Sequence, residues 1–254
     1  MAIEVFNRYE NKYLIDGDTL RSLIPRISGY MEPDAYNKRL QAYSISNIYY
    51  DTWDSHLIRS SLSKPKYKEK LRLRAYGVPD SGSKVYVEIK KKCAGLVNKR
   101  RSALRLGEAY RFLEDGRLPA AEAYMNRQVL GEIQYLLQRQ SLSPAVCLSY
   151  DRLAWFGLGQ HDVRVSFDSN VRARRDDILL EHGAYGALLL PEDMYVMEVK
   201  VARSIPVWLS KLMAEYRIYP QSFSKYGAEY RRRLSGEAAP DTELYTAQNT
   251  LMYA

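Results

Sequence analysis

Three Glu-x-Lys pairs recur in the chain: Glu10 with Lys12, Glu88 with Lys90, and Glu198 with Lys200. The last two sit in runs where charged and apolar residues alternate, and all three fall in segments that read as strands. Residues two apart on a strand share a side, so each pair sets a carboxylate beside an ammonium on a polar face. A single pair of this kind is what a solvated, salt-bridged sheet face carries. The same faces also hold Arg72, Arg74, Lys99, Arg101, Arg152 and Arg164. That is more arginine than solvation asks for, and arginine's rigid fork of donors is the usual partner of phosphate oxygens. If the strands close with these faces inward, they line a channel of strong positive potential holding a few carboxylates. Its ligand would be a chain of linked phosphates, neutralised by Arg and Lys and by a Mg²⁺ or Mn²⁺ that bridges phosphate oxygens to glutamate.

Other chemistries lack their residues. There is no GxxxxGK[ST], no GxGxxG after a strand, no GxSxG and no HExxH. Cys93 and Cys147 have no CxxC spacing, and His56, His161 and His182 are scattered singly, which argues against a disulfide framework and a zinc site. Any metal is therefore hard and held by oxygen. A second region of interest is QSFSKYGAEYRRR, residues 221–233, where Arg231 to Arg233 read as a solvated helix end and Lys225 stands before them.

The elements that must position these groups are mainly strands. Alternation marks KEKLRLRAYG, KVYVEIKKK, Val163 to Asp168 and DMYVMEVKV; further strands are expected over Val5–Leu14, Tyr43–Tyr50, Arg100–Leu106 and Val146–Trp155, about eight altogether. The 22 Tyr against 5 Phe suit strands with one apolar and one wet side. Helices are expected from Asp16 to Ile27, from Asp54 to Ser63, from Ala120 to Gln140 on a stripe through Tyr124, Val129, Ile133 and Leu136, and from Ser204 with Pro206 in its first turn. Asp51, at the end of a strand, is expected to serve a turn or cap.

Composition supports a folded protein: 46% hydrophobic and 27% charged residues, with 38 Lys+Arg against 30 Asp+Glu giving a net charge of +8. No linker or repeat interrupts it, so one domain is expected over 1–234, followed by a mobile tail over 235–254. The chain contains no apolar run of transmembrane length and opens without a signal peptide, so a cytoplasmic location is expected.

In order along the chain, FNRYENKYLI, SISNIYYDT, KEKLRLRAYG, VYVEIKKK with NKRR, SYDRLAW, VRVSFDSNV, YVMEVKV and SFSKYGAEY resemble the VTC domain, the catalytic domain of polyphosphate polymerases and a branch of the triphosphate tunnel metalloenzyme superfamily. The resemblance covers roughly residues 3 to 230. It implies an α+β fold: an antiparallel eight-stranded β-barrel tunnel with helices packed outside. It also implies transfer of the γ-phosphoryl group of ATP to a growing polyphosphate chain, with Mn²⁺ or Mg²⁺ as cofactor.

Carried over by motif, Lys12, Arg72, Arg74, Lys90, Lys99, Arg152 and Arg164 would bind the phosphates, with Arg101 and Lys200 beside them on the same faces. Glu198 would be the metal ligand. Lys225 would lie closest to the transferred phosphoryl group, with Arg74 and Arg164 counted beside it as catalytic. Hydrolytic members of the superfamily carry ExExK in the first strand. Here Arg8 stands in place of the first carboxylate, which lowers the capacity for a second, water-activating metal and leaves Glu10 a supporting partner of Lys12. Eukaryotic relatives add a sensor domain and a membrane segment; this sequence starts almost directly on its first strand, so either the activity is unregulated in isolation or a separately encoded membrane protein is the partner that docks the chain at the inner face of the membrane. A triphosphatase using the same tunnel and a basic barrel that binds without chemistry stay open as alternatives, and nucleic acid is not an expected partner because the Glu-x-Lys carboxylates would face its backbone.

Overall fold

The computed structural model describes residues 9–37, 40–94 and 96–236. In chain order the elements are β1 (Tyr9–Asp16), α1 (Gly17–Ile27), β2 (Met31–Pro33), β3 (Tyr43–Asp51), α2 (His56–Leu62), β4 (Tyr67–Tyr76), β5 (Lys84–Cys93), β6 (Leu96–Arg105), α3 (Leu106–Asp115), α4 (Arg127–Arg139), β7 (Ser143–Gly157), β8 (Gln160–Arg174), β9 (Ala187–Leu188), β10 (Met194–Val201), α5 (Val207–Glu215) and α6 (Lys225–Ser235). The architecture is α+β, with ten strands in one antiparallel sheet. Eight of them run in the order β1-β10-β8-β7-β3-β4-β5-β6, with β2 on β7 and β9 on β8. The main path holds the expected eight strands, with the short β2 and β9 added beside it, but among the described residues no ladder joins β6 to β1, so closure into a barrel is not seen. Alternation counts strands and assigns their faces; it does not fix which edges pair.

The chain divides into two compact units whose segments interleave, which is why no linker marks them in the sequence. The first comprises Ile45–Ser149 and Ala173–Tyr185. Its strands β3 to β6 pair in sequence order, and on one face Tyr49 stands opposite Arg72, Arg72 opposite Glu88, and Glu88 opposite Arg101. The opposite face is apolar: Leu71, Leu73, Val85, Val87, Ile89 and Leu104 are all at most 1% exposed and pack against Phe112 of α3 and Val129 and Ile133 of α4. Burying this many branched side chains, each contributing roughly 1.5–3 kcal/mol, is what holds the charged face in register.

The second unit comprises residues 9–44, Tyr150–Arg172 and 186–236. Here β1 pairs with β10 and β10 with β8, so that Lys12 lies opposite Glu198 and Glu198 opposite Ser166, while Glu10, Lys200 and Arg164 form the next row. Tyr13, Met197, Val199, Val165 and Phe167 turn the other way, onto Leu23 and Ile27 of α1 and Leu209 and Leu212 of α5.

Elements differ from expectation at several places. The long helix starts at Arg127, seven residues late, because the Asn126 side chain accepts from Val129 N–H and fixes the first turn there. Helix α3 was not foreseen; its start is held by the Glu108 carboxylate accepting from Arg105 N–H, and it ends at Gly116, whose φ of 71° is left-handed. The segment expected to begin the tail at Ser235 is instead the last residue of α6, and 237–254 lie outside the described residues. Asp51 serves α2, accepting from the N–H groups of Leu57 and Ile58 at 2.8 and 3.0 Å. Among the described residues no helix is long and apolar enough to cross a membrane.

Candidate functional site

Each unit gathers cations around a buried glutamate that follows the Glu-x-Lys spacing. In the first unit Glu88, 1% exposed, receives Arg72 at 2.6 Å and Lys99 at 2.7 Å, with Arg74 at 3.8 Å. Strand alternation puts Arg72 and Arg74 on one side of β4, and the β4/β5 and β5/β6 registers bring Glu88 between Arg72 and Arg101. Supporting groups fix the guanidinium planes: Arg74 Nε donates to Asn47 Oδ1 at 2.8 Å, Asn47 Nδ2 donates to the Leu148 carbonyl at 3.2 Å, and Arg72 Nη1 donates to the Tyr49 hydroxyl at 3.0 Å. The Arg101 guanidinium lies over the Tyr86 ring at 4.6 Å, and Lys90 stands between Lys70 and Lys99 in the next row.

Burial pushes the Glu88 carboxyl up, but Arg74, Arg72 and Lys99 together hold it well below the usual range. Lys99 is lowered well below an ordinary lysine by burial and by the two arginines, against the pull of Glu88. Placing like charges this close is unfavourable unless an anion joins them.

In the second unit Glu198, 5% exposed, lies 3.0 Å from Lys200, 3.3 Å from Lys12, 3.5 Å from Arg152 and 3.8 Å from Lys225. Two more carboxylates share these cations. Glu10 is 3.5 Å from Lys12, and the fully buried Asp168 takes both Arg152 Nε at 2.6 Å and Lys225 Nζ at 2.5 Å. Lys225 is presented by the first turn of α6, whose start is fixed by Ser224 accepting from Gly227 N–H, and its ammonium lies over the Tyr150 ring at 4.4 Å. Burial raises both Glu198 and Asp168, yet the surrounding cations win and keep both ionised, Glu198 well below its ordinary value.

Of the sequence-selected residues, the structure therefore brings Arg72, Arg74 and Lys99 together at Glu88, with Arg101 and Lys90 flanking, and Lys12, Arg152, Lys200 and Lys225 together at Glu198. Arg164 departs from its expected catalytic company: it neighbours Lys200 in register, but its guanidinium pairs with Asp34 at 2.9 Å and the Tyr43 hydroxyl at 3.3 Å, above the Phe156 ring. Asp168 was missed as a site residue. It was visible in the alternation of VRVSFD, but both its cations come from distant segments. Glu88 was legible only as half of a Glu-x-Lys pair, and Asn47 and Tyr49 carried no signal beyond strand propensity.

A hard divalent cation would have to be held by oxygen. Among the described residues no cluster of three or more His, Cys, Asp or Glu is arranged to hold a metal. Glu198, with Glu10 bridged to it through Lys12 and Lys200, fits the sparser mode in which one or two carboxylates hold Mg²⁺ or Mn²⁺ and phosphate oxygens and water complete the shell.

The family model of the VTC domain matches residues 7–233. Over 152 residues, 53% of the chain, the sequence is 29% identical to vacuolar transporter chaperone complex subunit 4 of Schizosaccharomyces pombe; the match spans 21% of that protein's length. Among solved structures, the fold is similar to a putative adenylate cyclase of Bacillus halodurans, with TM-score 0.55 and 16% identity over 87% of this chain and 96% of that one. It is also similar to a putative adenylyl cyclase of Hippeastrum described as having a dominant triphosphatase activity, with TM-score 0.52 and 16% identity over 94% and 98% of the two chains.

Proposed function

This chain belongs to the VTC domain family, and from that premise we propose that it is a polyphosphate polymerase, transferring the γ-phosphoryl group of ATP to the end of a polyphosphate chain. The observation that carries the reading is the gathering of arginines and lysines, in excess over carboxylates, on the polar strand faces around Glu88 and Glu198. Ordinary solvated sheet faces do not bury such groups. A binding site for several linked phosphates needs them, because each phosphate brings charge that water can no longer neutralise.

In this reading Arg72, Arg74 and Lys99, held in place by Glu88 and Asn47, bind phosphate oxygens, and Lys12, Lys200 and Arg152 do so beside Glu198. A terminal phosphate oxygen of the acceptor attacks the γ-phosphorus, the new P–O bond forms as the bond to the β-phosphate oxygen breaks, and ADP leaves. The attacking oxygen is already ionised, so no strong general base is required, and the loose transition state asks for positioning and charge stabilisation. Lys225, locked by Asp168, supplies a fixed cation for that purpose. Glu198 would hold a Mn²⁺ or Mg²⁺, which when bound neutralises phosphoryl oxygens as a Lewis acid.

Partners in this reading are ATP, polyphosphate and further proteins of a complex, as the curated relative is a complex subunit. The test is direct: incubate the purified chain with ATP and Mn²⁺ and resolve the products on a gel. A ladder of anionic polymer with release of ADP is expected. Free phosphate alone replaces the polymerase by a triphosphatase, and tight binding without turnover replaces both by a binding module.

A further inference from the structure

Tyr49 occupies an unusual place for a phenol. Its half-buried ring lies on β3 opposite Arg72, its hydroxyl accepts from Arg72 Nη1 at 3.0 Å, and the same guanidinium carbon stands 5.8 Å from the ring centre. The charged groups facing it come mostly from one side. From β4 they are Arg72, Lys70 and Arg74; through Arg72 it reaches Glu88 on β5, which is itself shared with Lys99 of β6. The part of β7 belonging to this unit, up to Ser149, contributes no charged side chain; its titratable Cys147 lies in the apolar core and its thiol is pushed up to about 11 by burial. Glu88 is thus the carboxylate for Arg72, Arg74 and Lys99, and Arg72 divides its donors between Glu88 and the tyrosine.

We propose that Tyr49 is a further ligand-binding residue of the Glu88 centre: as a phenolate it serves as the internal anion for Arg72, and it takes up a proton when a phosphate oxygen replaces it on the guanidinium. The inference rests on the reading that this centre binds phosphate. Its chemistry is one of exchange. A phosphate oxygen forms hydrogen bonds to Arg72, the phenolate gives up that partner, and a proton from solvent neutralises it, leaving a hydroxyl that donates to the bound phosphate. Burial alone would raise the phenol, but Arg72, Lys70 and Arg74 overcome it and bring Tyr49 down to about 8. Below pH 8 the phenol is already protonated and the anion meets the full cationic charge. Above it, each binding event must draw a proton, so affinity falls by up to about tenfold per pH unit.

Lys99 complicates a simple pH profile, since a lysine that loses its proton would weaken anion binding in the same direction. Tyr76, also lowered, by Arg74 and Arg101 against burial, is the second phenol to separate. The experiment therefore reads the phenolate itself. The near-ultraviolet phenolate band of the full chain is followed with pH, with and without inorganic tripolyphosphate, in wild type, Tyr49→Phe and Tyr76→Phe. Calorimetric titrations in buffers of different ionisation enthalpy count the protons.

The expected result is a band that appears between pH 8 and 9, well below the ordinary tyrosine range near 10. Tripolyphosphate should suppress it with uptake of close to one proton, and it should persist in Tyr76→Phe and vanish in Tyr49→Phe. The Tyr49→Phe protein should bind tripolyphosphate at pH 7 more weakly by the one lost hydrogen bond and take up about one proton fewer than wild type at pH 9, the uptake that remains belonging to Lys99. A band that is absent, that survives Tyr49→Phe, or that ignores bound tripolyphosphate overturns the assignment of Tyr49. If tripolyphosphate binds at no pH while the band is present, it is the phosphate reading of the centre that falls, and the exchange falls with it.

Discussion

The Glu88 and Glu198 centres start from the same local pattern, a buried strand glutamate two residues before a lysine, and arrive at different charge balances. At Glu88, three close cations, Arg72, Arg74 and Lys99, share one carboxylate, and Asn47 and Tyr49 accept further donors of the two arginines. At Glu198, four cations, Lys12, Lys200, Arg152 and Lys225, are shared with two further carboxylates, Glu10 and Asp168. The first centre is dominated by guanidinium forks, the second by lysines. A cation-rich, arginine-lined site is built to take an anion that brings its own negative charge. A nearly balanced lysine and carboxylate site can exchange ligands more freely, because an ammonium is a point charge with rotatable donors and a carboxylate released from one can meet a divalent cation instead. Under the proposed function, this contrast would put anion binding at both centres and metal and phosphoryl chemistry at the second.

The largest expected effect would break the contrast outright. If Lys225 stabilises the transferring group, Lys225→Ala should lower synthesis from ATP by on the order of 10³-fold, the cost of losing a transition-state cation, while tripolyphosphate binding at the Glu88 centre persists. Arg74→Ala should reduce both synthesis and tripolyphosphate binding. Equal losses of binding in the two variants would erase the division of labour. Since Lys225→Ala leaves Asp168 with one fewer cation, its folding should be checked by thermal melting, and Lys225→Arg, which keeps the pair, serves as the control.

Next comes neutralising each glutamate. Glu88→Gln takes the shared carboxylate from the buried Arg74 and the partly exposed Arg72 and Lys99, and Glu198→Gln leaves four cations to Glu10 and Asp168; breaking a fully buried charge pair costs about 3–5 kcal/mol and partial exposure lowers that, so both should melt earlier. They should differ in metal response. Only Glu198→Gln should shift the Mn²⁺ concentration needed for turnover, and a shift of equal size in Glu88→Gln would remove the reason for placing the metal at the second centre.

How much of this could be read from the sequence depends on which interactions are local. Alternation through KEKLRLRAYG and DMYVMEVKV puts Arg72, Arg74, Glu198 and Lys200 on polar faces before any coordinates, because strand periodicity is a property of consecutive residues. That Glu88 sits between Arg72 and Arg101 depends on the register of three strands, which alternation does not set. Asp168 shows the limit best: its partners, Arg152 and Lys225, lie on β7 and on α6, and nothing near it in sequence announces either. Arg164 shows the same limit from the other side: the motif singles it out, and the fold pairs it with Asp34, a loop carboxylate with no local signal. The apolar stripe carries the expected helix past its true start, which Asn126 sets by capping the first turn with its side chain.

The two centres should also respond alike to acid, and less strongly than to the substitutions. Glu88 and Glu198 lie below their ordinary value of 4.5, and Asp168 below 3.8, all through neighbouring cations that overcome burial. Depressed carboxylate values mean stability that is full above those ordinary values and lost as pH falls through the folded ones. Urea melts at a series of pH values should therefore show a flat region above about pH 5 and a steep loss below about pH 4. Glu198→Gln should lose part of that acid dependence, and a variant with an unchanged profile would mean that its cations do not hold Glu198 ionised.

The smallest expected effect sharpens the comparison most, because it alters no charge. Arg72 uses its fork: Nε and Nη2 meet Glu88 at 2.7 and 2.6 Å, and Nη1 meets Tyr49 at 3.0 Å. Lysine in its place keeps the charge but cannot satisfy both partners from one ammonium, and the lost hydrogen bond is worth about 1 kcal/mol. Arg72→Lys should thus weaken tripolyphosphate binding about fivefold, that energy expressed as an affinity. Lys200 contacts Glu198 as a point charge, so Lys200→Arg should bind tripolyphosphate within about twofold of wild type. Calorimetry on the two variants decides the matter: equal affinities would mean that guanidinium geometry does not distinguish the Glu88 centre, and that its excess of charge alone sets it apart.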